Sequence, residues 1–480
     1  MNAPKTHHPI ALYFLSLTEM WERFGFYIVQ GLLVLYMTEY FGFSDNESYT
    51  ILGVFTALVY ISPLAGGYLA NRFFGFKTSV LWGGVFLVIG YALLALPYAK
   101  LLLYPALSTI IVGNGLLKPN ISSLLGHQYQ FNDPRRESGF TLFYIGINIG
   151  AFLAGLSAGY IRELFGWRTS FALASVGLII GIITFMFGLK HIKDTPVHVK
   201  NSTRLKMIFV IGCLITISVL SFLLNMDQLA NWLLPCVGVI LFIGLILLTV
   251  KQNPEYKQRM FVLNILIVSS IDFWMLFLQL FYSANLFVER LVSKNLFVIH
   301  LTSTLFWGSE SIFIILLGPF FAFLWQALSR NAKNPSPVTK FSLGILLAGV
   351  GFIVLGCSTF FPSSEGLIPP LWVFAAYLLI TIGELLLSPI GLSAVTLLAP
   401  PNLVGLMMGV WFVATGFGGV FAGMIAKMAS VPHLVQSSEA KLAIYQTAFF
   451  NYAYCAFFVA IVLFLLQLKW RKLIATSHQF

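Results

Sequence analysis

Glu19, Glu22 and Arg23 stand together in EMWERFGFY, residues 19 to 27, with PIALYFLSLT before them and IVQGLLVLYM after. On a helix Glu19 and Arg23 lie four residues apart and Glu22 lies three from Glu19, so the three share one broad face. Four more charges interrupt apolar stretches: Lys118 in GNGLLKPNISSLLG, Asp272 in SSIDFW, Glu310 in FWGSESIF and Glu384 in LLITIGELLLSPIGL. A charge at the centre of a bilayer costs about 3 kcal/mol or more, so each of these is read as facing a bundle interior or water. A Glu19–Arg23 pair that only anchors helix packing accounts for the first group. It does not account for Lys118, Glu310 and Glu384, which have no opposite charge in their own helix and need partners elsewhere. Basic groups in the first half and acidic ones in the second suggest charges that meet in a cavity between halves. Carboxylates beside such partners bind and release protons as the partner moves, and a zwitterion fits between cationic and anionic ends.

The elements that must hold these charges follow from composition. The chain has 480 residues, of which 58% are hydrophobic and 9% charged, with a mean hydropathy of +0.88. Apolar stretches near the length that spans a bilayer recur along it, which makes it a polytopic membrane protein. No short apolar region with a small-residue cleavage site opens the chain, so the first hydrophobic segment is expected to stay in the mature protein. Hydropathy predicts about fourteen spans. With the N-terminus inside, one face collects 19 Lys and Arg and the other 7, leaving Arg23 and Lys118 within spans. That bias supports cytoplasmic N- and C-termini, and it accounts for the net charge of +11 without nucleic acid. Cys213, Cys236, Cys357 and Cys455 are scattered with no metal-ligand or disulfide spacing.

Short basic turns follow the second span, in GGYLANRFFGFK (66–77), and the fourth, in DPRR (133–136). The polar stretch from Lys190 to Lys206 separates six spans from two more that carry no intramembrane charge, read as a lipid-facing hairpin. The organisation expected is a six-helix bundle over 1–190, an inserted transmembrane hairpin with its linkers over 191–256, and a second six-helix bundle over 257–480. Two packed halves with a site near the bilayer midplane is a transporter architecture.

Several runs carry a family resemblance together. EMWERFGFY resembles the ExxERFxYY motif of the proton-dependent oligopeptide transporter (POT) family within the major facilitator superfamily. GNGLLKPN, FYIGINIGAF (143–152), NLFVER (285–290), GELLLSPIGLSAVTLLAP and GLMMGVWFVATGFGG (405–419) resemble further motifs of that family, in chain order. The resemblance implies an all-α major facilitator fold and proton-coupled import of di- and tripeptides by alternating access. It places Arg23 and Lys118 at the peptide carboxylate, with Tyr27 and Tyr60 beside it. Asn148 and Glu384 would hold the amino terminus, Glu19 and Glu22 would be proton-linked, and Trp411 would pack a pocket wall. A carboxylate does want Arg or Lys, and an ammonium wants carboxylate and amide oxygens. Without the family, Tyr27, Tyr60 and Trp411 read equally as packing aromatics, and Asn148 as an interhelical hydrogen bond.

The chain departs from the family pattern at several positions. Phe26 replaces the first of two tyrosines, Gln30 a frequent Arg, Leu278 its usual Glu partner, and Asn71 the acidic residue of the turn after the second span. Glu310 stands where an Asn commonly helps hold the amine, which would put it near Glu384 and make it a further proton-coupling and substrate residue. The histidines all fall in loops, tails or span ends, so coupling rests on carboxylates. No phosphate-cradling GxxxxGK[ST] run or nucleophile constellation is present, against an ATP-driven pump or an enzyme. No catalytic residue, metal or cofactor is expected; the drive is the proton gradient. The expected partners are peptide, protons and lipid, in a monomer of a bacterial inner membrane. The departures keep open a family member that carries another small solute, such as an amino acid or amine.

Overall fold

The structure, a computed structural model, describes residues 7–96, 99–130, 133, 135–193, 203–331 and 333–475. Lys5 and Lys200 lie outside the described residues, as do the side chains of Arg204, Lys206, Lys469, Arg471 and Lys472. Helices α1 (Ile10–Leu35), α2 (Asp45–Leu69), α3 (Phe76–Leu94), α4 (Ala99–His127), α5 (Arg136–Phe165) and α6 (Trp167–Gly188) come first. Next are α7 (Thr203–Asn225) and α8 (Asp227–Val250). The remainder comprises α9 (Pro254–Phe277), α10 (Ser283–Leu291), α11 (Ser303–Arg330), α12 (Pro337–Ser358), α13 (Pro370–Leu398), α14 (Val404–Ala426) and α15 (Ser438–Ala475). The only strands among the described residues form the hairpin Asn295–Leu296 with Ile299–His300.

Twelve segments among the described residues are long and apolar enough to cross a membrane, with α9 and α10 joined through a short 3-10 turn as one. Two more complete the expected fourteen: α1, 26 residues long with its three charges, and α8, 24 residues long. The protein is therefore an all-α, multi-pass membrane protein. Tight turns join neighbouring helices where glycine can take the left-handed region. Gly75 (φ +79°) starts α3 and Gly166 (φ +84°) starts α6, a backbone that side chains with a Cβ rarely adopt. At the α4–α5 turn Asp133 accepts from the Arg135 side chain at 2.7 and 3.0 Å and from its backbone N–H at 3.0 Å. Those hydrogen bonds hold the Asp133 carboxyl at about 2, below the usual carboxylate range.

Two compact units divide the chain: Met1–Leu33 with Leu58–Met226, and Val34–Ala57 with Asp227–Phe480. In the first, backbones approach closely at small residues. A Cβ on Gly66 of α2 would lie 1.9 Å from the Gly115 carbonyl oxygen of α4, and one on Gly150 of α5 would lie 2.2 Å from the Met20 oxygen of α1. Such contacts hold helices together where hydrocarbon removes the hydrophobic driving force. Helix α7 joins this unit through Phe209 and Cys213, which pack on Phe86 of α3 and Leu116 of α4. Its other face is exposed at Ile208, Ile211, Leu214 and Ile215, as the lipid-facing reading requires. In the second unit the first half of α2 lies against α14: a Cβ on Gly423 would be 2.5 Å from the Tyr49 oxygen.

A candidate substrate and proton site

In the first unit the α1 charges are buried; Arg23 and Glu22 meet within the helix, and α4 supplies the partner of Glu19. Arg23 makes two bonds to its neighbour Glu22, Nε to Oε2 at 2.5 Å and Nη2 to Oε1 at 2.6 Å. Lys118 Nζ donates to Glu19 Oε1 at 2.6 Å, while Arg23 Nε stays 3.7 Å from that oxygen. The Glu19–Arg23 pair expected from helical spacing is thus the weaker contact, and the charge of Glu19 is met from another helix. This is also where the partner required for Lys118 is found. Glu19 and Glu22 are fully buried, whereas the Lys118 side chain keeps 30% exposure. A cation of this cluster is therefore open to an arriving anion.

Prolines make a second layer around the cluster. Pro63 in α2 and Pro119 in α4 lack an N–H and release the carbonyls four residues earlier, at Val59 and Gly115. Asn114 Nδ2 donates to the Val59 oxygen at 2.9 Å while its Oδ1 accepts from Arg23 Nη2 at 3.2 Å. Asn114 thus ties Arg23 to α2 through a carbonyl that a proline left free. Sequence reasoning missed Asn114, although it lies four residues before Lys118 and so on the same helical face. The guanidinium also stands over the Phe26 ring, 4.5 Å from its centroid. The phenylalanine that replaces a family tyrosine is thereby a cation–π partner. Tyr27 and Tyr60 are half-buried, and Asn148 donates to the Tyr144 oxygen of its own helix at 3.0 Å. That bond is local, not interhelical.

The second unit holds the acidic group. Glu310 of α11 and Glu384 of α13 are both buried, and their carboxyls lie near enough to interact. Ser311 Oγ donates to Glu310 Oε2 at 3.2 Å, and Glu384 Oε2 has no donor. The open oxygen of Glu384 is where an ammonium would be accepted. Trp411 of α14 is buried against Gly391, where a Cβ would lie 1.9 Å from the indole, and against Phe341 at 6.1 Å. Leu278 is buried, and its neighbour Gln279 donates to the Ala422 oxygen at 2.9 Å. All four cysteines are free, and no group of three metal-ligating side chains occurs among the described residues.

The sequence and the fold have counterparts among known proteins. The family model PTR2, described as the POT family, matches residues 77–442. The chain belongs to the POT family. Dipeptide and tripeptide permease A of Proteus mirabilis is 33% identical over 457 residues, 94% of this chain and 92% of that one. Dipeptide and tripeptide permease B of Xenorhabdus bovienii is 31% identical, covering 95% and 94%. Among solved structures, a variant of a POT peptide transporter in complex with alafosfalin superposes with a TM-score of 0.85 at 30% identity, over 98% of each chain. A POT family transporter in complex with 5-aminolevulinic acid gives 0.84 at 26%, over 96% and 97%. The fold of this POT-family chain is accordingly the major facilitator fold, and the chain is a transporter, not an enzyme.

Proposed function

We propose that this protein is a proton-coupled symporter that imports di- and tripeptides by alternating access. One observation carries the reading: Arg23, buried, and Lys118, partly exposed, stand in one cluster, each on its own carboxylate. In this scheme a peptide carboxylate takes over Arg23 and Lys118, with Tyr27 and Tyr60 beside it. Glu19 and Glu22 then lose their cations, and a carboxylate left buried without one takes up a proton. Asn148, Glu310 and Glu384 receive the peptide ammonium, which displaces a proton from the two carboxyls; Trp411 is assigned to a pocket wall. The scheme uses no cofactor beyond the proton gradient. Residues 1–190 and 257–480 are assigned to the two six-helix bundles and 191–256 to the inserted pair. The excess of Lys and Arg on one side supports cytoplasmic termini, and the bacterial permeases that the chain resembles support an inner membrane. The working form is taken as a monomer.

A second reading has specific support. Phe26 brings no hydroxyl to the Arg23 cluster, and Glu310 adds a carboxyl to Glu384. Both changes alter what a substrate meets, and one similar transporter is seen with 5-aminolevulinic acid rather than a peptide. Purified protein in liposomes separates the readings. With an inward proton gradient, labelled dialanine is expected to accumulate, and Arg23→Ala or Lys118→Ala abolishes accumulation in inserted protein. A C-terminally amidated dipeptide is expected to compete at least about tenfold less well, since it forfeits a charge-assisted bond of about 1.5 kcal/mol or more. Equal competition by acid and amide removes the carboxylate assignment. Accumulation of amino acids or amines in place of dialanine selects the second reading.

A further inference from the structure

The inserted helix α8 belongs to the second unit and packs on its neighbours at Gly238 and Thr249, with Leu245 buried between them. Near its middle Gly238 meets α14, where a Cβ would come 2.8 Å from the Phe417 ring. Near its end Thr249 Oγ1 accepts from Asn264 Nδ2 of α9 at 2.8 Å, a buried bond. Eleven residues separate Gly238 from Thr249, about 16 Å of helix. Between the two contacts lies a groove of about 1470 Å³. Phe242 and Ile246 of α8, Phe261, Ile265 and Val268 of α9, and Phe421 of α14 line it. Phe242, Ile246, Phe261 and Val268 are each more than 40% exposed, so the groove opens sideways towards the surrounding hydrocarbon.

Its mouth at the α8–α9 turn is different in chemistry. Lys257 and Gln258 line that end, and Lys257 has no carboxylate partner among the described residues. In the same turn Arg259 is taken by Glu255 at 2.8 Å, leaving Lys251 and Lys257 uncompensated. The first turn of α9 adds unmet N–H groups, because its cap residue Asn253 makes no side-chain cap. From Lys257 to Val268 the helix runs eleven residues, about 16 Å, close to one leaflet of a hydrocarbon core about 30 Å thick. Within the groove Asn264 is buried and its Oδ1 has no donor. The one acid on the lining is Asp272, four residues beyond Val268, and its Oδ1 accepts from Cys455 Sγ at 3.5 Å.

We propose that this groove is a binding site for one anionic phospholipid. The acyl chains lie between α8 and α9, and the phosphate sits on Lys257 and the first turn of α9. Charge selects the occupant: the mouth is basic, with Glu255 spent on Arg259, and the walls are apolar. The one acid on the lining, Asp272, lies fifteen residues along the chain from Lys257. A basic pocket between helices at the membrane surface holds acidic head groups in just this way. The bound lipid fills the groove beside Phe242 and Ile246 and holds α8 against α9 and α14.

The test uses the full-length protein, delipidated in detergent and titrated with phosphatidylglycerol or phosphatidylethanolamine of matched chains, with native mass spectrometry as readout. One phosphatidylglycerol is expected to be retained at about tenfold higher affinity than phosphatidylethanolamine. Lys257→Glu is expected to erase that preference while lipid still binds. Ile246→Trp, or Val268→Trp from the opposite wall, is expected to remove binding of both lipids, with the variant confirmed as folded by its melting curve. Free glycerol phosphate, the head group without chains, is expected not to bind. Equal affinity for the two lipids, retention undiminished in both tryptophan variants, or binding of glycerol phosphate as strong as that of the lipid would overturn the proposal. So would a dimer of the chain that forms without lipid and is lost in the tryptophan variants, since a second copy would then be the occupant.

Discussion

Glu22 is the residue whose environment differs most from what its spacing suggests. Its two oxygens are both taken by Arg23, the next residue, rather than shared along the helix. Glutamine at this position keeps the shape and one acceptor but drops the charge that balances the guanidinium. Glu22→Gln is therefore expected to stop concentration of peptide by a pH gradient while sparing exchange of labelled for unlabelled peptide. Continued concentration by the variant would make Glu22 a structural residue. Glu310 poses a matching question in the second unit. Its carboxyl accepts from Ser311 and lies beside Glu384, and no basic side chain pairs with it among the described residues. Glu310→Gln removes one of two carboxyls that would meet an ammonium and leaves only a neutral amide oxygen in its place. The preference for a free over an N-acetylated dipeptide is expected to shrink about tenfold, roughly 1.5 kcal/mol, in calorimetric titrations. An unchanged preference would leave Glu310 outside substrate recognition.

At the scale of elements, proline and glycine do the positioning. Pro63 and Pro119 release carbonyls at Val59 and Gly115. One is claimed by Asn114, and the other faces Gly66 with no room for a side chain. The α2–α4 crossing and the Arg23 network therefore depend on each other. Gly66→Ala is expected to destabilise the protein by about 1–3 kcal/mol through overpacking against backbone and to lower transport with it. Gly212→Ala on α7, where nothing lies within 4 Å, serves as control. It is expected to be neutral or stabilising by up to about 1 kcal/mol, the usual gain from removing a helix-interior glycine. Equal melting shifts for the two variants would show that the crossing tolerates the extra methyl group. The hydropathy pattern made these helices legible, because period and length alone mark a span. Which glycines carry a crossing was not legible, since that depends on what stands opposite.

At the scale of the molecule, the second unit is tied across long stretches of chain. Asp45, buried at the start of α2, makes two bonds of 2.7 Å to Arg290 of α10 and accepts from the Val431 N–H at 2.9 Å. Tyr445 of α15 also bonds Arg290, at 3.3 Å, and Tyr282 reaches the Leu52 oxygen at 3.0 Å. Removing one partner of a buried pair strands the other. Arg290→Ala is thus expected to cost about 3–5 kcal/mol. Asp45→Asn with Arg290→Ala is expected to cost less than the sum of the single changes by about 1–3 kcal/mol, read from melting curves of all four proteins. Additive shifts would show that the pair contributes no coupling.

The sequence by itself determined a multi-pass helical membrane protein of the POT family, with seven charges set within its spans. Those conclusions rest on apolar length, on the cost of charge in hydrocarbon and on motifs read in order, none of which needs a third dimension. It also brought Glu310 and Glu384 together through the resemblance. Only the tertiary structure decided which charge answers which. Lys118 took Glu19, Arg23 turned to Glu22 and Asn114, and Asp45 found Arg290 from 245 residues away. Helical spacing says which side chains share a face. The partner on the next helix is set by how closely two backbones pass, and here small residues and prolines decide that distance.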